Sequence, residues 1–156
     1  YDTARYRKSV ELLNVFFQRP AVTTDWIVGF PGETEEEFSA TMAFVQACGF
    51  AEMHIFPYSI RPGTPAAGME QVPKAVKEER AARAAVLAEE LHQAYLSGCV
   101  GAVYEVLFEQ PAGGLYQGHA PNYMCVGVKT DGLHNQTVPV KIVGVAGDIL
   151  LGETEF

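Results

Sequence analysis

The stretch 25-DWIVGFPGETEEEF-38 decides the fold of the first part of the chain. It begins with apolar and β-branched residues, turns at two glycines and a proline, and continues with acids and a helical pattern. Thr34 followed three residues later by Glu37 is a capping box, in which each residue satisfies a free backbone N–H group. The stretch therefore predicts a strand, a tight turn and a helix. The apolar residues 21–30 predict a strand that is buried on both faces.

Helix and strand patterns alternate on either side of this stretch. Residues 3–18 predict a helix, residues 52–59 a second strand, and the segment after Pro73 a long amphipathic helix. This order implies parallel strands joined by right-handed crossovers. Two parallel strands alone leave open, apolar edges. Residues 1–97 are therefore expected to be part of a larger α/β domain that lacks its beginning.

The pattern changes after Gly98. Short apolar segments follow, and turn signals such as Gly113-Gly114 separate them. About five short strands in fewer than about sixty residues are typical of a small OB-like β-barrel. The fold class is thus α/β plus all-β, with domains at 1–97 and 98–156. The predicted strands are 103–109, 115–118, 123–128, 138–143 and 149–152.

Charge and cysteine usage exclude several function classes. The net charge of −8 gives no bulk attraction to nucleic acid or to an anionic membrane. No apolar run is long enough to span a bilayer, and YDTARYRKSV is not a signal peptide. Cys48, Cys99 and Cys125 are odd in number and far apart, so we interpret them as structural residues of a protein in a reducing compartment.

Polar side chains follow both predicted strands of the first part. In parallel α/β barrels, chemistry gathers where strands end, and Gly29 and Gly32 would let a ligand or another backbone come close. Arg61 could clamp a carboxylate or phosphate. The alternatives are a tight turn with a helix cap and a surface loop with an exposed arginine. His54 is interpreted as a hydrogen-bonded core histidine, and Glu33 as an acid at a helix N-terminus.

Three motifs in order carry a resemblance to a known family. DWIVGFPGETEEEF is followed by 54-HIFPYSIRPGTPAAGM-69 and by 70-EQVPKAVKEER-80. Together they resemble the radical S-adenosylmethionine methylthiotransferases, most closely the bacterial branch acting on threonylcarbamoyladenosine in tRNA. That family ends in a small β-barrel, the TRAM domain. Its segment G-x-T-x-N-Y-x-x-V is resembled by 118-GHAPNYMCV-126, in which Ala120 stands where Thr is usual.

The resemblance implies a fold, a reaction and cofactors. Residues 1–97 would be the C-terminal part of a partial TIM-like barrel, and residues 98–156 a TRAM β-barrel. The parent enzyme would add a methylthio group to C2 of N6-threonylcarbamoyladenosine at position 37, in the tRNA anticodon loop, using S-adenosylmethionine and 4Fe-4S clusters. It would be cytoplasmic.

The chain departs from the family in one large respect. The CxxxCxxC motif that binds the radical cluster is not in this sequence, which resembles about the last third of such an enzyme. The missing N-terminal part of the same protein is thus an expected partner. No catalytic residue and no metal ligand is expected in the chain, and alone it is predicted to be inactive.

The resemblance also assigns binding residues. It places the C-terminal end of the first predicted strand beside the adenine of S-adenosylmethionine. Strand alternation puts Asp25, Ile27 and Gly29 on one face of that strand, and Ile27 and Gly29 are chosen for the wall that faces the cofactor. The implied cofactor-binding residues are Ile27, Gly29, Phe56, Ser59 and Arg61. The implied RNA-binding residues are His119, Asn122, Tyr123, Lys129 and Lys141.

Residues 98–156 carry two lysines against six acids, so RNA binding by this domain alone is expected to be weak. For Tyr116 and Tyr123, a place in the barrel core is an equally good interpretation.

Two other functions also stay open. One is a stand-alone RNA-binding or assembly module without catalysis. The other is a methylthiotransferase acting on isopentenyladenosine in tRNA or on a ribosomal protein. An upstream reading frame encoding CxxxCxxC would favour the fragment, and a start codon the module.

Overall fold

The computed structural model describes residues 2–154. The chain forms two compact units: the first contains the residues before Phe17 together with Val22–His92, and the second contains Phe17–Ala21 together with the residues from Gln93 onward. The helices are α1 (Thr3–Phe16), α2 (Glu35–Cys48) and α3 (Lys74–Gly98), with a short 3-10 helix at Pro65–Gly68. The strands are β1 (Thr23–Val28), β2 (Glu52–Pro57), β3 (Val103–Ala112), β4 (Leu115–His119), β5 (Cys125–Val128), β6 (Thr137–Ala146) and β7 (Ile149–Glu153).

The first unit contains a two-stranded parallel sheet of β1 and β2, as the alternating patterns predict. The predicted capping box starts α2: the Glu37 N–H donates to the Thr34 hydroxyl at 3.1 Å, and the Thr34 N–H donates to the Glu37 carboxylate at 2.9 Å. Gly49 ends α2 in the left-handed conformation. The turn between β1 and α2 is therefore fixed from its helical side.

Only one face of this sheet is covered by helices. Trp26 and Val28 are buried and pack with Phe38 of α2, whereas Asp25 and Ile27 are exposed. The prediction that β1 is buried on both faces is therefore wrong for this chain. The strand alternates with period two, and its second face is not covered by the described helices of the first unit.

His54 lies on the same open face of the sheet. It stands opposite Asp25 in the strand register and is exposed, while its neighbours Met53 and Ile55 pack against the core. The interpretation of His54 as a core histidine is wrong. The alternation of side chains along β2 decides its position.

The second unit is a closed five-stranded barrel with the order β3-β4-β5-β7-β6. The pair β5–β7 is parallel and the other pairs are antiparallel. All five strands coincide with the predicted segments to within a few residues, and the closed small barrel agrees with the OB-like prediction. The barrel core includes Val106, Phe108, Val126, Val140, Ile142 and Leu150.

None of the helices within residues 2–154 is both long and apolar enough to cross a membrane.

Candidate functional site

The C-terminal ends of β1 and β2 lie side by side. Ile27 is opposite Phe56 in the register, and the Tyr58 N–H donates to the Val28 carbonyl at 2.8 Å just beyond the strands. Ile27 and Phe56 are 52% and 51% exposed on the open face of the sheet. Two adjacent, half-exposed apolar side chains at a strand end make a surface that a flat apolar group can cover.

Gly29 turns the chain out of β1. It has φ 69°, in the region that favours glycine, and it is buried. A Cβ atom at this position would collide with the side chain of Lys77 on α3. Glycine is therefore required here both for the turn and for the close approach of α3.

The largely buried side chain of Glu33 stabilises this turn by hydrogen bonds. Its carboxylate accepts from the Gly29 N–H at 2.8 Å and from Nη1 of Arg80 at 2.7 Å, and Nη1 also donates to the Glu33 carbonyl at 2.9 Å. The two side chains are only 13% and 5% exposed. The interpretation of Glu33 as an acid at a helix N-terminus is thus incomplete, because its main partner is a buried arginine from α3.

A more exposed set of ion pairs continues from this one. Arg83 donates to Glu35 at 2.7 Å and to Glu79 at 3.1 Å, and Nε of Arg80 lies 3.5 Å from the Glu35 carboxylate. The hydrogen bond from Arg83 lowers the pKa of Glu35 below its usual value, and the charges of both arginines add to this effect. The first turn of α2 is thereby tied to α3.

Lys77 connects α3 to the other strand exit. Its Nζ donates to the Tyr58 carbonyl at 3.1 Å and lies 5.8 Å from the centre of the Tyr58 ring. The same ring makes an edge contact with Phe30, with centroids 5.2 Å apart. The Tyr58 hydroxyl is buried and has no hydrogen-bond partner among residues 2–154. Such orphaned buried groups are rare, and they often mark places that another group completes.

Ser59 and Arg61 follow β2 in an exposed loop. The Thr64 hydroxyl donates to the Arg61 carbonyl at 2.8 Å, so the backbone of this loop is locally closed. The structure thus brings Ile27, Gly29 and Phe56 together at adjacent strand ends, and it places Ser59 and Arg61 in the loop that follows.

The strand ends fit part of S-adenosylmethionine. The exposed apolar pair Ile27 and Phe56 suits the face of a purine. The described residues do not fit an iron–sulfur cluster. No three His, Cys, Asp or Glu side chains within residues 2–154 are grouped so that they could hold a metal ion. Cys48 and Cys99 are buried in two separate cores.

The candidate RNA-binding residues lie at two places on the barrel. His119, Asn122 and Tyr123 precede β5, whereas Lys129 follows it and Lys141 lies on β6. We call the first group the loop patch and the two lysines the lysine patch. Because β5 separates the loop patch from Lys129, and Lys141 lies on another strand, a single compact contact would not use all five residues equally.

Tyr123 is the most prominent side chain of the loop patch. It is 85% exposed and has φ 64°, an unusual conformation for an aromatic residue. Asn122 supports it: its side chain accepts from the Met124 N–H at 3.3 Å and donates to the Tyr95 hydroxyl at 3.0 Å. Tyr123 is not a core residue, whereas Tyr116 packs against the barrel core with an edge contact to Phe108.

His119 is exposed and paired with an acid. Its Nδ1 lies 2.9 Å from the Glu109 carboxylate. The Glu109 carbonyl is 2.6 Å from Nδ1 of His134. Burial raises the pKa of the neighbouring Cys125 thiol, and the Glu109 charge adds to this effect. The loop patch therefore presents imidazole and phenol rings beside an acid, and not a block of positive charge.

Lys129 of the lysine patch borders a groove on the barrel. The groove has a volume of about 540 Å³ and is lined by Lys129, Thr130, Glu153 and the backbone of Gly127 and Gly152. Lys141 lies opposite Glu153 in the strand register. Because an acid stands beside these lysines, the patch offers little net attraction for a phosphate backbone.

Comparison of the sequence with known proteins identifies relatives over most of the chain. The chain is 45% identical over 130 residues to the threonylcarbamoyladenosine tRNA methylthiotransferase MtaB of Bacillus subtilis (strain 168), covering 79% of this chain and 29% of that protein. A second relative is the tRNA-2-methylthio-N(6)-dimethylallyladenosine synthase of Chloroflexus aurantiacus (strain ATCC 29366 / DSM 635 / J-10-fl), 38% identical over 152 residues, which cover 94% of this chain and 33% of that protein. The curated homologues of this chain are thus tRNA methylthiotransferases.

The resemblance inferred from the three motifs is thereby confirmed. The chain spans about a third of the length of these methylthiotransferases. No protein-family model matches the chain.

Sequence reasoning did not assign a role to Lys77 or Arg80. Both lie in the quoted motif EQVPKAVKEER, three residues apart, so a helix presents them on one face. The spacing was a usable signal, but their partners Tyr58 and Glu33 are far away in the sequence and only the fold brings them close.

Proposed function

We propose that this chain is the C-terminal part of a tRNA methylthiotransferase that acts on N6-threonylcarbamoyladenosine. The homology carries this proposal: it extends over most of the chain, with 45% identity to a threonylcarbamoyladenosine enzyme and 38% to a dimethylallyladenosine enzyme. Residues 1–97 would complete a partial TIM-like barrel, and residues 98–156 would be a TRAM β-barrel. The protein would work in the cytoplasm, where its tRNA substrate is.

The proposed role of the first unit is to hold the nucleoside of S-adenosylmethionine. Ile27 and Phe56 would cover the adenine and exclude water, while Gly29 and Ser59, just beyond the strand ends, would border it. Arg61 would attract an anionic group of cofactor or substrate. When bound, S-adenosylmethionine and the 4Fe-4S clusters of the parent enzyme supply the radical and sulfur chemistry.

The proposed role of the barrel is to contact the tRNA anticodon loop. Unpaired bases of an RNA loop stack on exposed aromatic side chains, and Tyr123 is exposed between two residues joined by a hydrogen bond. His119 and Asn122 would add polar contacts beside it. The lysine patch would contribute less, because Glu153 lies opposite Lys141 and lines the same groove as Lys129.

Nucleoside analysis of tRNA tests the reaction. The full-length gene that encodes this chain would be expressed in a bacterial strain lacking its own methylthiotransferases, and the tRNA nucleosides would be measured by mass spectrometry. We expect the methylthio derivative of threonylcarbamoyladenosine. The methylthio derivative of isopentenyladenosine alone would replace the proposed substrate by the alternative. No methylthiolated nucleoside, with the protein folded and its clusters present, would overturn the proposal.

Arg61→Ala in the full-length protein tests the loop assignment. We expect activity to fall at least about tenfold while stability stays within about 0.5 kcal/mol, because Arg61 is exposed and anchors no packing. Arg5→Ala is the matched control, since Arg5 is an exposed arginine on α1. Unchanged activity of Arg61→Ala would reduce Arg61 to a solvated loop charge.

Binding of an anticodon stem-loop RNA to the 156-residue chain tests the second unit. We expect weak binding that Tyr123→Ala reduces more than the double variant Lys129→Ala/Lys141→Ala does. The reverse order would assign the RNA contact to the lysine patch. Binding that is tight and unaffected by either change would favour a stand-alone RNA-binding module that uses another surface.

A further inference from the structure

We propose that Arg80 and Lys77 are positioning residues, which together fix the two strand exits that would border the cofactor. This inference rests on the proposed function, because the strand exits matter for chemistry only if a cofactor lies against them. Both residues are on α3, and each acts through groups of the β1 and β2 exits.

Arg80 controls the exit of β1. Its Nη1 contacts both the carboxylate and the carbonyl of Glu33, and the same carboxylate holds the Gly29 N–H. Three polar groups of one five-residue turn are therefore bound, directly or through Glu33, to a single guanidinium. If Arg80 moves, the Glu33 carboxylate loses its partner and the Gly29 amide loses its fixed acceptor.

Lys77 controls the exit of β2 and also contacts that of β1. Its ammonium donates to the Tyr58 carbonyl, while its aliphatic part lies against Gly29 where a Cβ would not fit. One side chain thus contacts both strand ends. Lys77 and Arg80 are three residues apart and so project from the same face of α3.

The ion pair between Arg80 and Glu33 is better explained by its effect on the orientation of the β1 exit than by a contribution to the free energy of folding. Removing two charges from water is costly, and well-packed apolar side chains are often as stabilising in such a place. A guanidinium, however, fixes directions, because it donates from a rigid planar group. The proposed gain is therefore a backbone held in place before the cofactor binds.

Four variants test this role. Arg80→Met and Lys77→Met remove the polar contacts and keep much of the side-chain volume. Glu33→Gln keeps an oxygen acceptor and removes the charge. Arg83→Met is the matched control, because Arg83 is on the same helix but pairs with the exposed Glu35 and Glu79. Hydrogen exchange of the Gly29 and Tyr58 amides is measured in the 156-residue chain, and the dissociation constant of S-adenosylmethionine in the full-length protein.

For Arg80→Met we expect exchange at Gly29 to rise at least about tenfold and affinity for S-adenosylmethionine to fall about tenfold to a hundredfold. Barrel amides should keep their wild-type exchange. Lys77→Met and Glu33→Gln should give smaller changes in the same direction, and Arg83→Met should give none.

The outcomes separate the two proposals. If the wild-type full-length protein binds S-adenosylmethionine but Lys77→Met, Glu33→Gln and every folded Arg80 variant bind it equally well, the positioning role is overturned and the proposed function stands. If the wild-type protein binds no S-adenosylmethionine, the proposed function fails and the positioning role fails with it. If Arg80→Met does not fold, the affinities of Lys77→Met and Glu33→Gln for S-adenosylmethionine decide whether the positioning role holds.

Discussion

Asn122 and Tyr95 form a hydrogen bond that supports Tyr123, the most exposed of the aromatic residues described in the barrel unit. Nδ2 of Asn122 donates to the Tyr95 hydroxyl at 3.0 Å, and this hydroxyl donates to the Arg19 carbonyl at 3.0 Å. The side-chain oxygen Oδ1 of Asn122 accepts from the Met124 N–H, so Asn122 bridges both sides of Tyr123. The left-handed conformation of Tyr123 is thus held by a chain of three bonds.

Tyr95→Phe is expected to lower the free energy of unfolding by about 1–2 kcal/mol. It removes a half-buried hydroxyl and leaves the Asn122 amide and the Arg19 carbonyl without that partner. Urea denaturation of the 156-residue chain measures the effect. Tyr123→Phe is the matched control and should change stability by less than about 0.5 kcal/mol. Similar losses in both variants would contradict the role of this network.

Tyr123→Asn is expected to separate RNA binding from stability. Asn tolerates the left-handed conformation better than Tyr does, and the Tyr123 side chain packs against little because it is 85% exposed. Stability should therefore stay unchanged or rise by up to about 1 kcal/mol, while affinity for an anticodon stem-loop falls. Thermal unfolding and fluorescence anisotropy give the two values. A large loss of stability would mean that the ring has a packing role.

Gly118→Ala is expected to lower the stability of the barrel by about 2 kcal/mol or more. A Cβ at Gly118 would collide with the backbone of Leu107 and Phe108 on the neighbouring strand, and the backbone cannot move aside without distorting the barrel. Gly144→Ala is the matched control, since a Cβ there meets nothing within 4 Å. Urea denaturation should show a loss only for the first variant. Equal effects would mean that β3 and β4 lie further apart.

Alkaline pH is expected to destabilise the barrel unit. Burial raises the pKa of Tyr95 and of Tyr104, and the nearby Cys99 thiol adds to the effect on Tyr104. The folded state therefore holds these protons more tightly than the unfolded state, in which a tyrosine has a pKa of about 10. The stabilisation is complete below that pH and is lost as the pH rises above it. Urea denaturation between about pH 8 and 11 should show this fall. The slope should be smaller for Tyr104→Phe; equal slopes would contradict the assignment.

Hydrogen exchange is expected to show weaker protection in β1 and β2 than in β3 and β5. The two-stranded sheet has an uncovered apolar face with Ile27 and Phe56 half exposed, whereas the barrel closes on itself. Exchange of the 156-residue chain, followed by mass spectrometry, resolves the segments. Equal and strong protection in all four strands would show that the first unit needs no further strands.

Much of the local structure could be read from single residues. Thr34 and Glu37 fixed the start of α2, Gly49 its end, and the period of apolar residues placed β3 to β7. These features depend on neighbours within a few residues, so the pattern contains them. The motifs HIFPYSIRPGTPAAGM and VKEER likewise sufficed to identify the methylthiotransferase resemblance.

Only the tertiary structure decided how distant residues meet. It turned His54 and Ile27 to an open face, because a face is buried only if another layer reaches it. It paired Arg80 with Glu33 across 47 positions of the sequence. It also placed the candidate RNA-binding residues in separate parts of the barrel, with His119, Asn122 and Tyr123 before β5, Lys129 after it and Lys141 on β6. The period of apolar residues predicts the face of a helix or strand on which a side chain lies. Which other element packs on that face depends on contacts between residues distant in the sequence, and no local pattern contains those contacts.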